Sequence, residues 1–276
     1  MKDLLPRARA ALERHAVAHR VVMTTGLEHG CAEARAAVAA GEAVVVMSGD
    51  GLIGQVGGVV AEVGGVLGVL PAGRGNDFAR GLGIPREIEG AVEVIAAGHI
   101  REIDVGEVND RRFLCIASCG FDSDANRIAN EAKRIRGQAV YLYAALRALA
   151  DWKPARFSLT LDGEHAEFTG FGVAAANGPA YGGGMFAAPG ADLEDGLLEV
   201  VWVSAVGKLR FLANVLPKVF KGTHVNNPEV TVRRASEVLI EADRPFAVYA
   251  DGDHLADLPA TVRVLPRALR VIAPVA

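Results

Sequence analysis

Two glycine-rich turns that carry acidic side chains are the part of the sequence best suited to chemistry. Ser48-Gly49-Asp50-Gly51 follows the apolar residues 43–47, and Gly73-Arg74-Gly75-Asn76-Asp77 follows the apolar residues 66–70. Each turn sets a carboxylate beside backbone without Cβ, so backbone N–H groups can approach an anion closely. If both turns end neighbouring strands of one α/β sheet, they form a site for nucleotide phosphates. Taken alone, either turn is more often a plain surface turn.

The elements predicted around these turns alternate between strand and helix. Residues 43–47 and 66–70 are short apolar runs stopped by glycine, which is typical of buried strands, and a further short strand is predicted over 19–24. Helical spacing predicts helices over 4–18, 28–40, 76–82 and 87–97. The helical character of 52–62 is weaker, because each of its glycines lowers helix propensity by roughly 1 kcal/mol. This alternation indicates a doubly wound, parallel α/β domain.

The sequence changes character after about residue 101. Short strands are predicted over 101–108, 112–118, 156–161, 166–176, 197–203, 229–234, 237–241, 246–250 and 260–265. Helical stretches near 125–150 and 205–220 interrupt them. Many of the strands alternate apolar and polar residues, which is typical of an antiparallel sandwich. We therefore predict an α/β domain over 1–101 and an all-β sandwich domain over 102–276.

Composition argues against several classes of protein. The chain has 276 residues, of which 51% are hydrophobic, and this suffices for two packed domains. Its net charge of −4 lacks the basic excess of nucleic-acid binders, so no nucleic acid is expected as a partner. No apolar run reaches the roughly 18 residues that span a bilayer, and no signal peptide is recognised. The three cysteines lack Cys-x-x-Cys spacing and are expected to be free thiols in a reducing cytoplasm.

Together with later motifs, the two turns are stronger evidence for a functional site than either turn alone. The ordered set is Ser48-Gly49-Asp50-Gly51-Leu52, the run from Pro71 to Arg80, the run from Ala188 to Leu198, and Asp251-Gly252-Asp253. Over nearly the whole chain this set resembles the bacterial diacylglycerol kinase family, a group related to the sphingosine kinases. The resemblance implies an α/β nucleotide-binding domain and a β-sandwich domain with the active site in the cleft between them. It also implies an enzyme that uses ATP and Mg²⁺ to phosphorylate a lipid hydroxyl, with diacylglycerol as the first candidate.

The resemblance assigns the two turns to the nucleotide. Gly49 and Gly51 would admit the phosphates, and Asp50 would hold magnesium, because a carboxylate cannot face phosphate oxygens without a cation between them. Asn76 and Asp77 could act likewise, although simple helix capping suits Asn76 equally well. The resemblance also makes Thr24 the early threonine that contacts the nucleotide, with neighbouring Thr25 as the alternative. The expected nucleotide-binding residues are Thr24, Ser48, Gly49, Asp50, Gly51, Leu52, Gly73, Arg74, Gly75, Asn76 and Asp77.

The later motifs supply further catalytic and metal residues by resemblance. Asp253 stands where the family has the Glu proposed to take the proton from the acceptor hydroxyl; Asp251 is its rival, and Asp50 completes the catalytic set. A hairpin turn without chemical function also fits the Asp-Gly sequence. Asp192 and Asp195, with the carbonyl of Leu197, match a structural magnesium site of the family. The alternative there is a loop with two solvated acids.

The chain departs from the family pattern at three places. The family normally opens with a strand ending in Asn-Pro-x-Ser-Gly, and this strand is missing ahead of the helix predicted over 4–18. Leu52 and Arg74 stand where the family has threonines, and Arg74 either brings a cation to the phosphates or points to solvent. Ser48 stands where the family has glycine, and this is a smaller departure than those at Leu52 and Arg74. Because of these departures, two other functions stay open. The chain could be a catalytically impaired family member that binds nucleotide or lipid, or a kinase for a soluble acceptor.

Residues 207–224 carry Lys208, Arg210, Lys218 and Lys221 without an acid, among apolar side chains. This pattern predicts a basic amphipathic face on an anionic membrane, or a helix packed on the sandwich, and the two are compatible. We therefore expect a cytoplasmic protein that associates with the inner face of the membrane, where its lipid substrate is presented. Diacylglycerol, a sphingoid base, phosphatidylglycerol and a polyprenol stay open as acceptors, and so does a homodimer.

Overall fold

The computed structural model describes residues 4–132 and 139–275. Its N-terminal part consists of α1 (Leu4–Arg14), α2 (Leu27–Ala39), β1 (Val44–Ser48), α3 (Asp50–Glu62), β2 (Val66–Pro71), α4 (Asp77–Gly81) and α5 (Ile88–Ala97). β1 and β2 are parallel, with Val44 opposite Leu67 and Ser48 opposite Pro71. Both strands therefore end at the same edge of the sheet, where the two glycine turns begin.

Helices cover these strands and bury their apolar sides. α1 packs against α5 and α2 against α3, while α3 and α5 also contact the strands. Ile53 and Val60 of α3 and Val92 of α5 are fully buried. The α/β prediction for this part of the chain is confirmed.

The strand predicted over 19–24 is wrong. Residues 17–24 form no strand, and Met23 is 70% exposed. A strand needs a neighbour that accepts and donates its backbone hydrogen bonds, and in the described sheet β1 is an end strand that pairs with β2. Apolar sequence alone does not supply that neighbour.

The glycines of α3 are explained by what packs against them. The helix is complete from Asp50 to Glu62. A Cβ on Gly54 would lie 2.7 Å from Asp251 Oδ2, and one on Gly57 would lie 2.7 Å from Leu114 Cδ1. The glycines therefore let the second half of the chain pack directly on this helix, and that packing offsets their cost in helix propensity.

The remaining elements form the second part of the chain. Its strands are β3 (Ile100–Val108), β4 (Arg111–Phe113), β5 (Ile116–Gly120), β6 (Ala155–Leu161), β7 (Glu164–Ala176), β8 (Leu198–Ser204), β9 (Val230–Ala235), β10 (Glu237–Ala242), β11 (Ala247–Ala250), β12 (Asp253–Asp257) and β13 (Ala260–Ile272). Helices α6 (Phe121–Glu131) and α7 (Ala139–Asp151) follow β5. A broken helix, called the 208–219 helix below, joins Lys208–Arg210, Phe211–Val215 and Leu216–Val219, the middle piece with π-type hydrogen bonding.

The strands run in the order β1-β2-β13-β10-β6-β7-β5-β11-β12, with β3 on β13 and β4, and β8 on β7 and β9. The pairs within the second part are antiparallel, and the predicted β-sandwich-like domain is confirmed. β13 joins the two parts, because Val262 pairs with Val108 of β3 while Val271 pairs in parallel with Leu67 of β2. A division at residue 101 stays a prediction, and β13 contributes to the sheet on both sides of it.

Two predicted elements are divided in the structure. The strand predicted over 112–118 is broken between β4 and β5, because the N–H groups of Leu114 and Cys115 donate to the side chain of Asp251 instead of a neighbouring strand. The helix predicted over 125–150 is α6 and α7, and residues 133–138 of that prediction lie outside the described residues. The three cysteines are free thiols, as predicted.

Candidate active site

The two glycine turns lie against each other where β1 and β2 end. Ala72 N donates to Ser48 O at 2.9 Å. A Cβ on Gly73 would come within 2.4 Å of Gly49 Cα, so only glycine fits at position 73. The local sequence thus folds into two nested turns whose backbone stays accessible from one side.

Asp50 and Asp77 direct their carboxylates toward the same small space. A Cβ on Gly75 would lie 2.7 Å from Asp50 Oδ2 and 2.9 Å from Asp77 Oδ2. Phe78 N donates to Asp50 Oδ1 at 3.2 Å, and Gly183 N donates to Asp77 Oδ2 at 2.7 Å. Burial raises the pKa of Asp77, the Gly183 N–H lowers it, and the charge of Asp50 raises it again. The structure therefore brings together the acids of the two turns.

This pair of acids fits a magnesium ion. Asp77 Oδ1 is buried and has no hydrogen-bond partner among the described residues, and Arg80 Nε lies 3.8 Å away. A hard cation would supply the missing partner and relieve the repulsion between the carboxylates. The described chain holds no group of three His, Cys, Asp or Glu side chains placed to bind a metal. Magnesium needs only one or two carboxylates when phosphate oxygens and water complete its shell.

Asn76 shapes the second turn and does not cap α4. It precedes that helix with φ 54° and makes no capping bond with its side chain. Asn76 Oδ1 accepts from Gly73 N at 2.8 Å, and Nδ2 donates to Gly73 O at 3.2 Å. The capping prediction is wrong, because the side chain closes its own turn. A role for Asn76 toward a nucleotide stays a prediction.

Asp251 anchors the turn between β11 and β12 to the break between β4 and β5. Its Oδ2 accepts from Leu114 N at 2.6 Å, and its Oδ1 accepts from Cys115 N at 2.9 Å. Burial nevertheless raises the pKa of Asp251 to about 6, and the charge of Asp50 adds to the rise. Both oxygens are therefore engaged with backbone next to the acid cluster.

Asp253 is exposed and lies beside the first turn of α3. A Cβ on Gly51 would lie 3.5 Å from Asp253 Oδ2, and Gln55 Nε2 lies 3.4 Å from the same oxygen. Of the two rival candidates for the base, Asp253 thus has the less engaged carboxylate. The turn that carries it adjoins the turn that carries Asp50.

A cavity of about 350 Å³ joins the acids to an apolar space. Asp50, Arg74, Asp77 and Asp251 line its polar end. Its apolar lining comes mostly from α6, α7 and the 208–219 helix with Phe220, together with β5 and Met185. It includes Ile116, Phe121, Ala125, Ala129, Val140, Leu142, Ala144, Ala145, Met185, Leu216 and Phe220. Asp253 is not part of this lining, although its neighbour Gly51 is. One cavity thus offers a polar and an apolar binding space side by side.

Sequence reasoning missed six polar residues of this cavity, which are Ser118, Asp122, Asn126, Asn130, Tyr181 and Tyr249. Asp122 is the second residue of α6, and both Asp122 and Tyr181 line the cavity. Burial raises the pKa of both side chains. The three consecutive glycines at 182–184 were the available signal, because they form the turn that holds Tyr181 beside Asp77.

Both parts of the chain match families of known proteins. Residues 1–108 match the family model "Diacylglycerol kinase catalytic domain", and residues 115–273 match "YegS C-terminal NAD kinase beta sandwich-like domain". A diacylglycerol kinase of Mycobacterium tuberculosis (strain ATCC 25618 / H37Rv) is 37% identical over 247 residues, which cover 87% of this chain and 79% of that protein. The chain belongs to the diacylglycerol kinase family. It is therefore a kinase, and the resemblance seen in the sequence motifs is confirmed.

Other relatives agree with this membership. A diacylglycerol kinase of Bacillus subtilis (strain 168) is 29% identical over 237 residues, covering 84% of this chain and 77% of that protein. The crystal structure of a diacylglycerol kinase from Bacillus anthracis str. Sterne superimposes with a TM-score of 0.76 over 98% of this chain and 90% of the other. At 19% identity, that likeness shows a shared fold.

Thr24, Leu52 and Arg74 are three further predicted nucleotide residues of this family member. Thr24 is exposed, and a Cβ on Gly30 would lie 3.7 Å from Thr24 Cγ2 and 3.8 Å from Leu52 Cδ1. Thr24 and Leu52 thus approach the same point on α2. Arg74 is exposed and lines the same cavity as Asp50 and Asp77. Their roles stay predictions.

The predicted second metal site of this family member lies in a separate loop before β8. Asp192 Oδ1 accepts from Glu194 N, and Asp195 Oδ1 accepts from Leu197 N, each at 3.0 Å. Asp195 Oδ2 also pairs with Arg234 at 2.6 Å, so a magnesium ion would compete there with a guanidinium. The metal assignment stays a prediction. Over the described residues, the kinase has no helix with the length and hydropathy needed to cross a bilayer.

Proposed function

We propose that this kinase transfers the γ-phosphoryl group of ATP, with Mg²⁺, to a lipid hydroxyl. Diacylglycerol, giving phosphatidate, is the acceptor we propose first, because the relatives carry that name. The observation that carries the proposal is the cavity with acids and glycines at one end and apolar side chains at the other. A triphosphate with its metal suits the first end, and acyl chains suit the second.

The glycine turns bind and orient the phosphates in this proposal. The backbone near Gly49 and Gly75 carries no Cβ that would hold an anion away, and α3 begins at Asp50, so its first N–H groups and positive dipole end face the same space. Asp50 and Asp77 would hold the magnesium ion. Its charge would neutralise the phosphate oxygens as charge shifts during the transfer.

Asp253 is the residue we propose to orient the acceptor hydroxyl and accept its proton. Its exposed carboxylate lies beside Gly51, at the rim of the polar end. In a loose transition state the proton leaves late, so the main contribution of such a base is to hold the attacking oxygen in line. Asp251 supports Asp253 by fixing the turn through its bonds to Leu114 and Cys115.

We also propose that the apolar end of the cavity opens toward the inner face of the cell membrane. Leu142 of α7 and Phe220 after the 208–219 helix line the cavity and are 56% and 48% exposed. Leu209 is 83% exposed, and Lys221 near Phe220 is exposed as well. Apolar side chains beside lysines suit an anionic lipid surface, so a lipid could enter the cavity without crossing water.

The test is phosphoryl transfer from γ-labelled ATP, with Mg²⁺, to lipids in mixed micelles, followed by extraction into organic solvent. We expect label in phosphatidate, and a loss of at least about 100-fold in kcat with Asp50→Asn or Asp253→Ala. Asp257→Ala is the matched control, because Asp257 is an exposed acid at the far end of β12. With soluble acceptors supplied instead of lipids, label in an aqueous product other than ATP and inorganic phosphate would indicate a soluble acceptor. Nucleotide binding without any turnover would indicate an impaired member.

A further inference from the structure

We propose that Asn130 of α6 is a positioning residue for the phosphoryl transfer, because it holds the turn between β11 and β12 and so fixes the place of Asp253. This role rests on the proposed function, in which Asp253 orients the acceptor hydroxyl. Asn130 lies outside the glycine turns and outside the sequence motifs, and it acts on the reaction through the backbone of Gly252.

The side chain of Asp253 is weakly held. Its carboxylate is exposed, and its hydrogen-bond partner among the described residues is Gln55 Nε2, at a long 3.4 Å. A group that orients a reacting oxygen must keep its place to within about 0.5 Å. A long bond at an exposed site does not supply that precision, so the position of the carboxylate depends on the backbone of the turn that precedes it.

That turn consists of two residues with left-handed backbone. Ala250 pairs with Asp253 across the hairpin, and between them Asp251 has φ 51° and Gly252 has φ 95°, as in the tight turns of two-residue hairpins. The side chain of Asp251 ties the first half of the turn to the break between β4 and β5. The second half has no such packing, because no described atom lies within 4 Å of a Cβ built on Gly252.

Asn130 supports this second half from α6. Its Nδ2 donates to Gly252 O at 3.0 Å, and Asn126 Oδ1, one helical turn earlier, lies 3.4 Å from the same nitrogen. The start of α6 is closed by Ser123, whose Oγ donates to Gly120 O at 2.8 Å. The turn is thus held at one residue by the β4–β5 break and at the next residue by α6.

Removal of the amide of Asn130 should affect the chemical step and leave ATP binding unchanged. In Asn130→Ala the turn can pivot about its anchor at Asp251, and the carboxylate of Asp253 then leaves the line of attack. We expect kcat for lipid phosphorylation to fall about tenfold, with the KM for ATP unchanged, because the glycine turns lie on other elements. Asn130→Gln keeps an amide donor on a longer arm and should recover most of that loss.

Glu131→Gln is the matched control, because Glu131 is the next residue of α6, is exposed, and lines a different groove together with Arg127. It should keep the wild-type kcat. A double-mutant cycle separates positioning from a general structural effect. When Asn130→Ala is added to Asp253→Ala, we expect no further loss of kcat, because Asn130 acts through Asp253. A structural defect would lower kcat in both backgrounds.

Hydrogen–deuterium exchange over residues 247–257 measures the same contact without any activity. We expect faster exchange in this segment in Asn130→Ala, wild-type exchange in Glu131→Gln, and an unchanged thermal midpoint in both. Wild-type kcat in Asn130→Ala, a further loss on top of Asp253→Ala, or unchanged exchange would overturn the inference. If the wild-type chain phosphorylates no lipid, the proposed function fails. The hold of Asn130 on the turn then stands if exchange is faster in Asn130→Ala, and it falls if exchange is unchanged.

Discussion

At the scale of single residues, the acids around α3 differ in what surrounds them. Asp77 is buried with one unpartnered oxygen, Asp251 is held by backbone N–H groups, and Asp253 is exposed. The sequence predicted these residue types and their order, because each belongs to a short local motif. It could not predict which acid is buried, which is bonded to backbone and which is exposed. The reason is that the N–H donors of Gly183 and Leu114 come from distant parts of the chain.

The raised pKa of Asp251 predicts a pH dependence of stability. With a folded-state pKa of about 6 against 3.8 for an ordinary aspartate, the folded protein holds this proton more tightly than the unfolded chain does. The contribution of this group is therefore most favourable below about pH 4 and declines as the pH rises to about 6, by roughly 3 kcal/mol. The measurement is urea unfolding of the wild type and of Asp251→Asn at several pH values. The difference between their free energies of unfolding reports the contribution of Asp251 at each pH. A difference that is constant, or that favours the wild type more as pH rises, would contradict the assignment.

The nesting of the two turns predicts that Gly73→Ala is damaging. The new Cβ would meet Gly49 Cα at 2.4 Å, and because backbone cannot move aside, we expect a loss of about 1–3 kcal/mol in the free energy of unfolding, together with weaker nucleotide binding. Gly26→Ala is the control, because nothing lies within 4 Å of its Cβ position. Chemical denaturation checks both variants, and equal stability of the two would show that the turns are not packed as described.

At the scale of elements, α3 is the helix on which the site is assembled. It begins at Asp50, and its glycine face admits Asp251 and Leu114. Strand–turn–helix units such as β1 to α3 were predictable, because apolar runs and glycine punctuation are local signals. The strand over 19–24 and the undivided strand over 112–118 were wrong, because strand pairing and the competing bonds of Asp251 depend on distant residues.

The glycine face of α3 predicts that Gly54→Ala lowers activity although alanine is the better helix former. Alanine should stabilise the isolated helix by roughly 1 kcal/mol, but its Cβ would lie 2.7 Å from Asp251 Oδ2 and displace the turn that carries Asp253. We expect kcat to fall at least about tenfold. Gly30→Ala in α2 is the control, since its nearest neighbours are at an ordinary 3.7 Å, and it should keep full activity. Wild-type kcat in Gly54→Ala would refute this account of the glycine.

At the scale of the whole molecule, the site depends on the way β13 and the β11–β12 turn bring the second part of the chain onto the first. Val271 of β13 pairs with Leu67 of β2, and Asp253 lies beside Gly51 of α3. The family resemblance implied a cleft between two domains, and the fold agrees with it. The apolar lining by α6, α7 and the 208–219 helix was not predicted, because Leu, Ala and Phe at helical spacing also suit an ordinary core.

The central claim is that Asp50 and Asp253, from the two parts of the chain, act on one phosphoryl transfer. The most direct measurement is a double-mutant cycle on kcat for lipid phosphorylation, with Asp50→Asn, Asp253→Ala and the double variant, each checked for folding. Residues that serve one transition state give strongly non-additive losses. We therefore predict a loss of at least about 100-fold in each single variant, and a double variant little worse than the poorer single. Full activity in either single variant, or losses that multiply in the double, would contradict the claim.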